Sequence, residues 1–122
     1  MANPINWFEI PVTDMERAKT FYQNSLRYEL TVTEMGPALM AWFPMEQEGF
    51  GATGTLMKTE GYTPSHEGTV VYFSVESIEE TLELINANGG KTLQPKTSIG
   101  EYGFIAHFED TEGNRVALHA KE

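Results

Sequence analysis

The chain contains no cysteine. That excludes disulfide staples, thiolate metal sites and cysteine nucleophiles, and it fits a reducing compartment. Positive charge is scarce: 8 Lys and Arg stand against 18 Asp and Glu, a formal net charge of −10. No basic stripe compensates, so nucleic acid and anionic membrane are not expected partners. No apolar run approaches the roughly 20 residues that a bilayer span needs. The start, Met1-Ala2-Asn3-Pro4, has neither a basic n-region nor an apolar h-region, so a signal peptide is not expected and cytoplasm is the expected location. Gly51-Ala52-Thr53-Gly54 lacks the lysine and the following helix of a phosphate loop, and no Gly-x-Ser-x-Gly elbow occurs.

What is present suffices for a real core. Of 122 residues, 40% are hydrophobic and 11% aromatic, which argues for one folded domain over residues 1–122 rather than disorder. One phrase is written twice, about 63 residues apart. Shifting Trp7-Phe8-Glu9-Ile10-Pro11-Val12 onto the second copy lays Phe8, Ile10 and Val12 on Val71, Phe73 and Val75. The same shift lays Met15 on Ile78, Phe21 on Leu84 and Tyr22 on Ile85. Such repetition governs the fold.

Alternation predicts a first strand with Phe8, Ile10 and Val12 on one face and Trp7, Glu9 and Pro11 on the other. A helix follows, capped by Thr13 with Glu16 or by Asp14, and its stripe of Ala18, Phe21, Tyr22 and Leu26 should cover the Phe8/Ile10/Val12 face. Strands are expected over 29–34, 38–43 and 53–58. Residues 59–67, with Gly61, Pro64, Ser65 and His66, read as a linker. The second half repeats the plan: a strand over 70–75, a helix over 77–88 with Ser77 and Glu80 as a capping box, and strands near 91–95, 103–108 and 115–120. The fold class is therefore α+β: two tandem βαβββ modules, about 3–58 and 68–122, curling into a barrel-like mixed sheet around a cleft.

Strand parity supplies the expected cleft lining. The first module offers Trp7 and Glu9, then Met40 and Trp42, then Thr53, Thr55 and Met57. The second offers Val70, Tyr72 and Ser74, then Arg115, Ala117 and His119. An aromatic and methionine lining with few polar points suits a flat or greasy small molecule. Glu9 reads either as a structurally satisfied carboxylate or as a cleft base, and Glu9 with His119 is the candidate catalytic dyad. His107 is expected to point away from the cleft, His66 to be exposed, and Tyr102 to serve a turn or close the cleft mouth.

The phrase Phe8-Glu9-Ile10-Pro11-Val12-Thr13-Asp14 with Ala18-Lys19-Thr20-Phe21-Tyr22, and the ending Phe108-Glu109-Asp110-Thr111-Glu112-Gly113-Asn114, resemble the vicinal oxygen chelate superfamily of glyoxalases, bleomycin-resistance proteins and extradiol dioxygenases. Ile99-Gly100-Glu101-Tyr102-Gly103-Phe104 resembles a glyoxalase-like bacterial subgroup. The resemblance implies metal ligands on the first and last strand of each half, which here fall on Trp7, Thr55, Val70 and Ala117. No metal or other cofactor is therefore expected, with a divalent metal as the lesser alternative. The resemblance implies a protein that binds a small organic molecule without a catalytic metal. The alternative is a glyoxalase-type lyase or isomerase using Glu9 as base with His119; a dioxygenase is disfavoured. Superfamily members often pair, so a homodimer is expected.

Overall fold

Two helices, each launched from a short strand, begin at matching places in the two halves. The computed structural model describes residues 3–46 and 49–122. Met1, Ala2, Gln47 and Glu48 lie outside the described residues, and with them half of the Met1-Ala2-Asn3-Pro4 start, on which the signal-peptide expectation rests, and part of the loop before Gly51. The elements are β1 (Trp7–Pro11), α1 (Met15–Leu26), β2 (Thr31–Met35), β3 (Ala38–Trp42), β4 (Thr53–Lys58), β5 (Tyr72–Ser74), α2 (Ile78–Ala87), β6 (Lys91–Ser98), β7 (Phe104–Glu109) and β8 (Arg115–Ala120).

Helix α1 is capped by Asp14, whose side chain accepts from the Arg17 N–H at 3.1 Å. Thr13 is not the cap: its N–H and hydroxyl both donate to Glu112 instead. Helix α2 starts as expected, with the Ser77 hydroxyl accepting from the Glu80 N–H at 3.2 Å. Strand β5 is shorter than its alternation predicts. The backbone beyond both its ends still bonds β8, through Ala117 N–H to the Val71 carbonyl and Val75 N–H to the His119 carbonyl. Strand β6 runs on to Ser98 despite Pro95, which an edge strand tolerates because one side of its backbone has no partner to lose.

The strands form two four-stranded sheets, ordered β1-β4-β3-β2 and β5-β8-β7-β6. In each the first strand pairs parallel with the last, and the other neighbours are antiparallel. The expected α+β class with two tandem βαβββ modules is what the structure has, and its two sheets are not closed into one barrel. β1 and β5 are both edge strands, and among the described residues no strand ladder joins the two sheets. The halves meet through side chains instead. The Phe73 ring lies 5.7 Å from Phe8, 5.3 Å from Phe43 and 6.0 Å from Tyr22.

One hydrophobic core serves both halves. Ile10, Leu56, Phe21 and Tyr22 from the first join Ile85, Phe108 and Leu118 from the second. Burying each large side chain contributes about 1.5–3 kcal/mol, and neither half has enough of them to stand apart. Gly54 permits close approach of β4 to β1, since a Cβ there would collide with the Phe8 carbonyl and ring.

A polar knot in the β7–β8 turn fastens the halves. The buried Tyr22 hydroxyl donates to Asp110 Oδ2 at 2.7 Å, and the Asn114 amide donates to the Pro11 carbonyl at 2.7 Å. Asp110 Oδ1 accepts from the N–H groups of Glu112 and Asn114. Burial pushes the Asp110 carboxyl up, although these bonds oppose it. Burial also acts to raise Glu112. Bonds from the Arg17 guanidinium and from Asp14 and Thr13 overcome it and hold the carboxyl at about 2.

Candidate functional site

Each sheet turns one face to a helix and leaves the other open, and register decides which side chains share the open face. In the first sheet Glu9 and Trp42 both flank Thr55, while Pro11 and Met40 flank Met57. Trp7 pairs with Thr53 in the same series. The Trp7 and Trp42 rings meet edge-to-face at 5.1 Å, and the Trp42 indole N–H donates to the Thr33 hydroxyl at 2.9 Å. Thr55 is sealed beneath these neighbours, fully buried, and its hydroxyl has no hydrogen-bond partner among the described residues. The Thr53 hydroxyl is spent on the Pro44 carbonyl. Beside Trp42 lies an open hollow of about 510 Å³ walled by Thr31, Thr33, Phe43 and Met45.

In the second sheet Tyr72 and His107 both flank Ala117, and Ser74 and Ile105 both flank His119. His107 is thus corrected: it stands on the open face. Phe104, Ala106 and Phe108 face α2 and the core, so parity sends His107 the other way, and that signal was present in the sequence. Tyr72 Oη lies 3.2 Å from His107 Nε2, and the Arg115 Nε–H donates to His107 Nδ1 at 3.0 Å. Burial, then the charge on Arg115, pushes the His107 imidazole below its ordinary value. Val70 lies half-buried just ahead of β5.

Glu9 is exposed rather than half-buried. It sits on an edge strand, with a same-face neighbour on one side only. Its carboxylate accepts from the Tyr62 hydroxyl at 2.7 Å. Tyr62 comes from the 59–67 segment and is a partner that sequence parity gave no means of finding. His119 bonds the Tyr102 carbonyl through Nε2 at 2.7 Å. No hydrogen bond or ion pair joins Glu9 to His119; each is engaged elsewhere. His66 is exposed and pairs with Glu109. Tyr102 ends a single 3-10 turn, Gly100–Tyr102, and is largely exposed. Glu9, Arg115, Ser65, Glu67 and Asn114 do share a hollow of about 210 Å³ at the junction of the halves.

The positions where the family resemblance implies metal ligands offer an indole, a valine, an alanine and one threonine hydroxyl. That donor set does not fit a divalent cation, which takes imidazole, carboxylate or thiolate groups. Among the described residues no three His, Asp or Glu side chains gather closely enough to hold one.

Comparison with known proteins gives a consistent answer. A "Glyoxylase-like domain-containing protein" of Didymella fabae is 34% identical over 118 residues, covering 93% of this chain and 91% of the relative. Glyoxalase I from Zea mays superposes with a TM-score of 0.72 at 21% identity over 97% of this chain, which spans 46% of the maize chain, about half its length. TnmS3, an antibiotic binding protein from Streptomyces sp. CB03234, superposes with a TM-score of 0.69 at 19% identity over 99% of this chain and 98% of that one. The family model for the Glyoxalase/Bleomycin resistance protein/Dioxygenase superfamily matches residues 4–118, and the chain belongs to that superfamily.

Proposed function

We propose that this protein binds a small organic molecule against the open faces of its half-sheets and uses no catalytic metal. The observation that carries the reading is the floor of the first half-sheet: the Trp7–Trp42 pair, the adjacent hollow, and a buried Thr55 hydroxyl with no partner. A sealed hydroxyl without a partner costs about 1–3 kcal/mol. Indole faces beside a hollow of this size suit a flat organic ligand. The antibiotic binding relative has the same fold and nearly the same length. The lyase alternative would use Glu9 with His119, and both side chains are already held by other partners.

The binding cleft would form between two copies of the chain. The accessible surface is 7809 Å² for a chain of 13.7 kDa. A compact monomer of that mass exposes about 6,600 Å². The excess, about 1,200 Å², is larger than the roughly 800 Å² that each partner buries in a standard interface. Cytoplasm remains the proposed location; among the described residues no helix is long and apolar enough to cross a membrane.

A thermal-shift screen of small aromatic and heteroaromatic compounds, read beside tryptophan fluorescence, tests the reading. A true ligand raises the melting temperature by mass action and quenches Trp7 or Trp42. Metal analysis of the purified protein should find no stoichiometric ion, and sedimentation should give a dimer. A stoichiometric divalent metal, or a screen in which no compound stabilises the protein, would overturn the proposal.

A further inference from the structure

We propose that Arg115, His107 and Tyr72 form an acceptor-binding relay on the open face of the second half-sheet, which takes a flat organic oxyanion, a carboxylate or phenolate. The inference rests on the reading that these open faces bind a small organic molecule, and it names the chemistry of one end of that molecule.

The direction of the relay follows from proton counting. A guanidinium only donates. Arg115 Nε donates to His107 Nδ1, so that nitrogen carries a lone pair and the ring proton sits on Nε2. Nε2–H then donates to the Tyr72 oxygen 3.2 Å away. Having accepted there, Tyr72 directs its own proton elsewhere. The Tyr72 side chain is 48% exposed, so its hydroxyl is offered outward as a donor. A doubly protonated His107 would set N–H against N–H at Arg115, so the ring stays neutral and the relay keeps its direction. The two rings meet edge-on at 5.6 Å and 85°, which leaves a Tyr72 face free for a flat ligand to lie on.

Charge balance points to an anion. The natural partner for Arg115 is Glu109, directly across the β7–β8 ladder. Glu109 is instead engaged by His66. Glu9 and Glu67 share the junction hollow with Arg115, and Glu9 accepts from Tyr62. Among the described residues Arg115 makes no ion pair. A ligand oxyanion accepting from Tyr72 would supply the missing charge through the relay. The nearby Glu9 and Glu67 carboxylates repel a ligand whose negative charge is not aimed at that hydroxyl.

Long-range 1H–15N correlation of His107 reads the relay directly. The Nε2–H tautomer is expected in the intact protein and lost in Arg115→Met. Benzoate is the probe, with benzyl alcohol as its uncharged counterpart. Benzoate should shift the His107 and Tyr72 signals and bind about tenfold more tightly than benzyl alcohol, and Tyr72→Phe should weaken it by about tenfold. Tyr72 is half exposed, so this variant is expected to fold, and circular dichroism checks it. An Nδ1–H tautomer, no benzoate binding, or binding indifferent to Tyr72→Phe would each overturn the relay. If both probes bind equally and quench tryptophan without touching His107, the small-molecule reading stands and the oxyanion site alone fails.

Discussion

The two half-sheets share a plan on one face and diverge on the other. On their helix-covered faces they are near copies: Ile10 and Phe73 are both buried, and α1 and α2 begin on Met15 and Ile78, each behind a side-chain cap. On their open faces they have little in common. The first presents indoles, methionines, one sealed hydroxyl and, at its edge, Glu9, whereas the second presents Tyr72, His107, Arg115 and His119. The two helix-covered faces are alike because a shared core penalises any change of volume. The open faces carry no such penalty, and one is suited to apolar contact and the other to directed hydrogen bonds. The fastening between the halves is also one-sided. Asp110, Glu112 and Asn114 all lie in the second half, and the offset that carries β4 onto β8 places an exposed Ala52 where Asn114 stands.

That asymmetry predicts the largest effect. Asp110→Ala would strand the buried Tyr22 hydroxyl and the buried Asn114 backbone N–H, at a cost of about 3–5 kcal/mol in urea unfolding. Ala52→Ser, at the corresponding place in the first half, should stay within about 0.5 kcal/mol. Equal effects at the two sites would show that the knot does not join the halves.

The knot also titrates. The Glu112 carboxyl is held at about 2, against an ordinary 4.5. A depressed folded value stabilises the folded state above the unfolded one. That stability is full above about pH 5 and disappears as pH falls toward 2. With Arg17 half exposed and screened, the loss should be about 2 kcal/mol. Asp110, raised by burial, acts in the opposite sense, because its folded form binds a proton more readily and its contribution falls as pH rises. Glu112→Gln should therefore flatten or reverse the acid slope of unfolding stability measured from pH 6 to pH 2. An unchanged slope would place the acid sensitivity elsewhere.

The caps sharpen the comparison on a smaller scale. Each accepts from one backbone N–H in the first turn, so Ser77→Ala and Asp14→Ala should each cost about 1 kcal/mol. Asp14 also donates its N–H to Glu112, but that bond comes from the backbone and survives the substitution. A far larger loss at Asp14 would mean that its carboxylate does more than cap.

Much of this was legible in the chain. The repeat and the alternation of Phe8, Ile10 and Val12 gave the elements, because those residues answer to a local period and to one buried face. Parity also put Glu9 and Trp42 on the face of Thr55 and Tyr72 on that of Ala117, whereas the expectation puts His107, the other neighbour of Ala117, on the wrong face. It failed where the cause was not local. Thr13 has the sequence of a cap, but a carboxylate 99 residues away claims it. Glu9 alternates like a half-buried residue, yet exposure depends on where β1 falls in the sheet order, and strand order is a long-range property. Tyr62 reaches Glu9 from a segment with no periodicity at all. The way the halves meet was equally out of reach, since the contacts that join them are between side chains and leave no mark on strand alternation.

The smallest effect separates stability from function most cleanly. Thr55 is fully buried with its hydroxyl unpaired, so Thr55→Val replaces an unsatisfied polar atom by a methyl group of similar size. If the hydroxyl has no use, the exchange should be neutral or stabilising by up to about 1 kcal/mol, and ligand binding should not change. If the first half-sheet keeps that hydroxyl for a ligand, the same substitution should raise the melting temperature of the free protein and shrink the shift that a bound compound produces. The two halves would then differ in kind. The second offers its donor at the surface through Tyr72, while the first hides one beneath Trp42 until a ligand displaces the indole. A Thr55→Val protein that is less stable when free would mean that the hydroxyl already has a partner, and the contrast between the faces would lose its sharpest point.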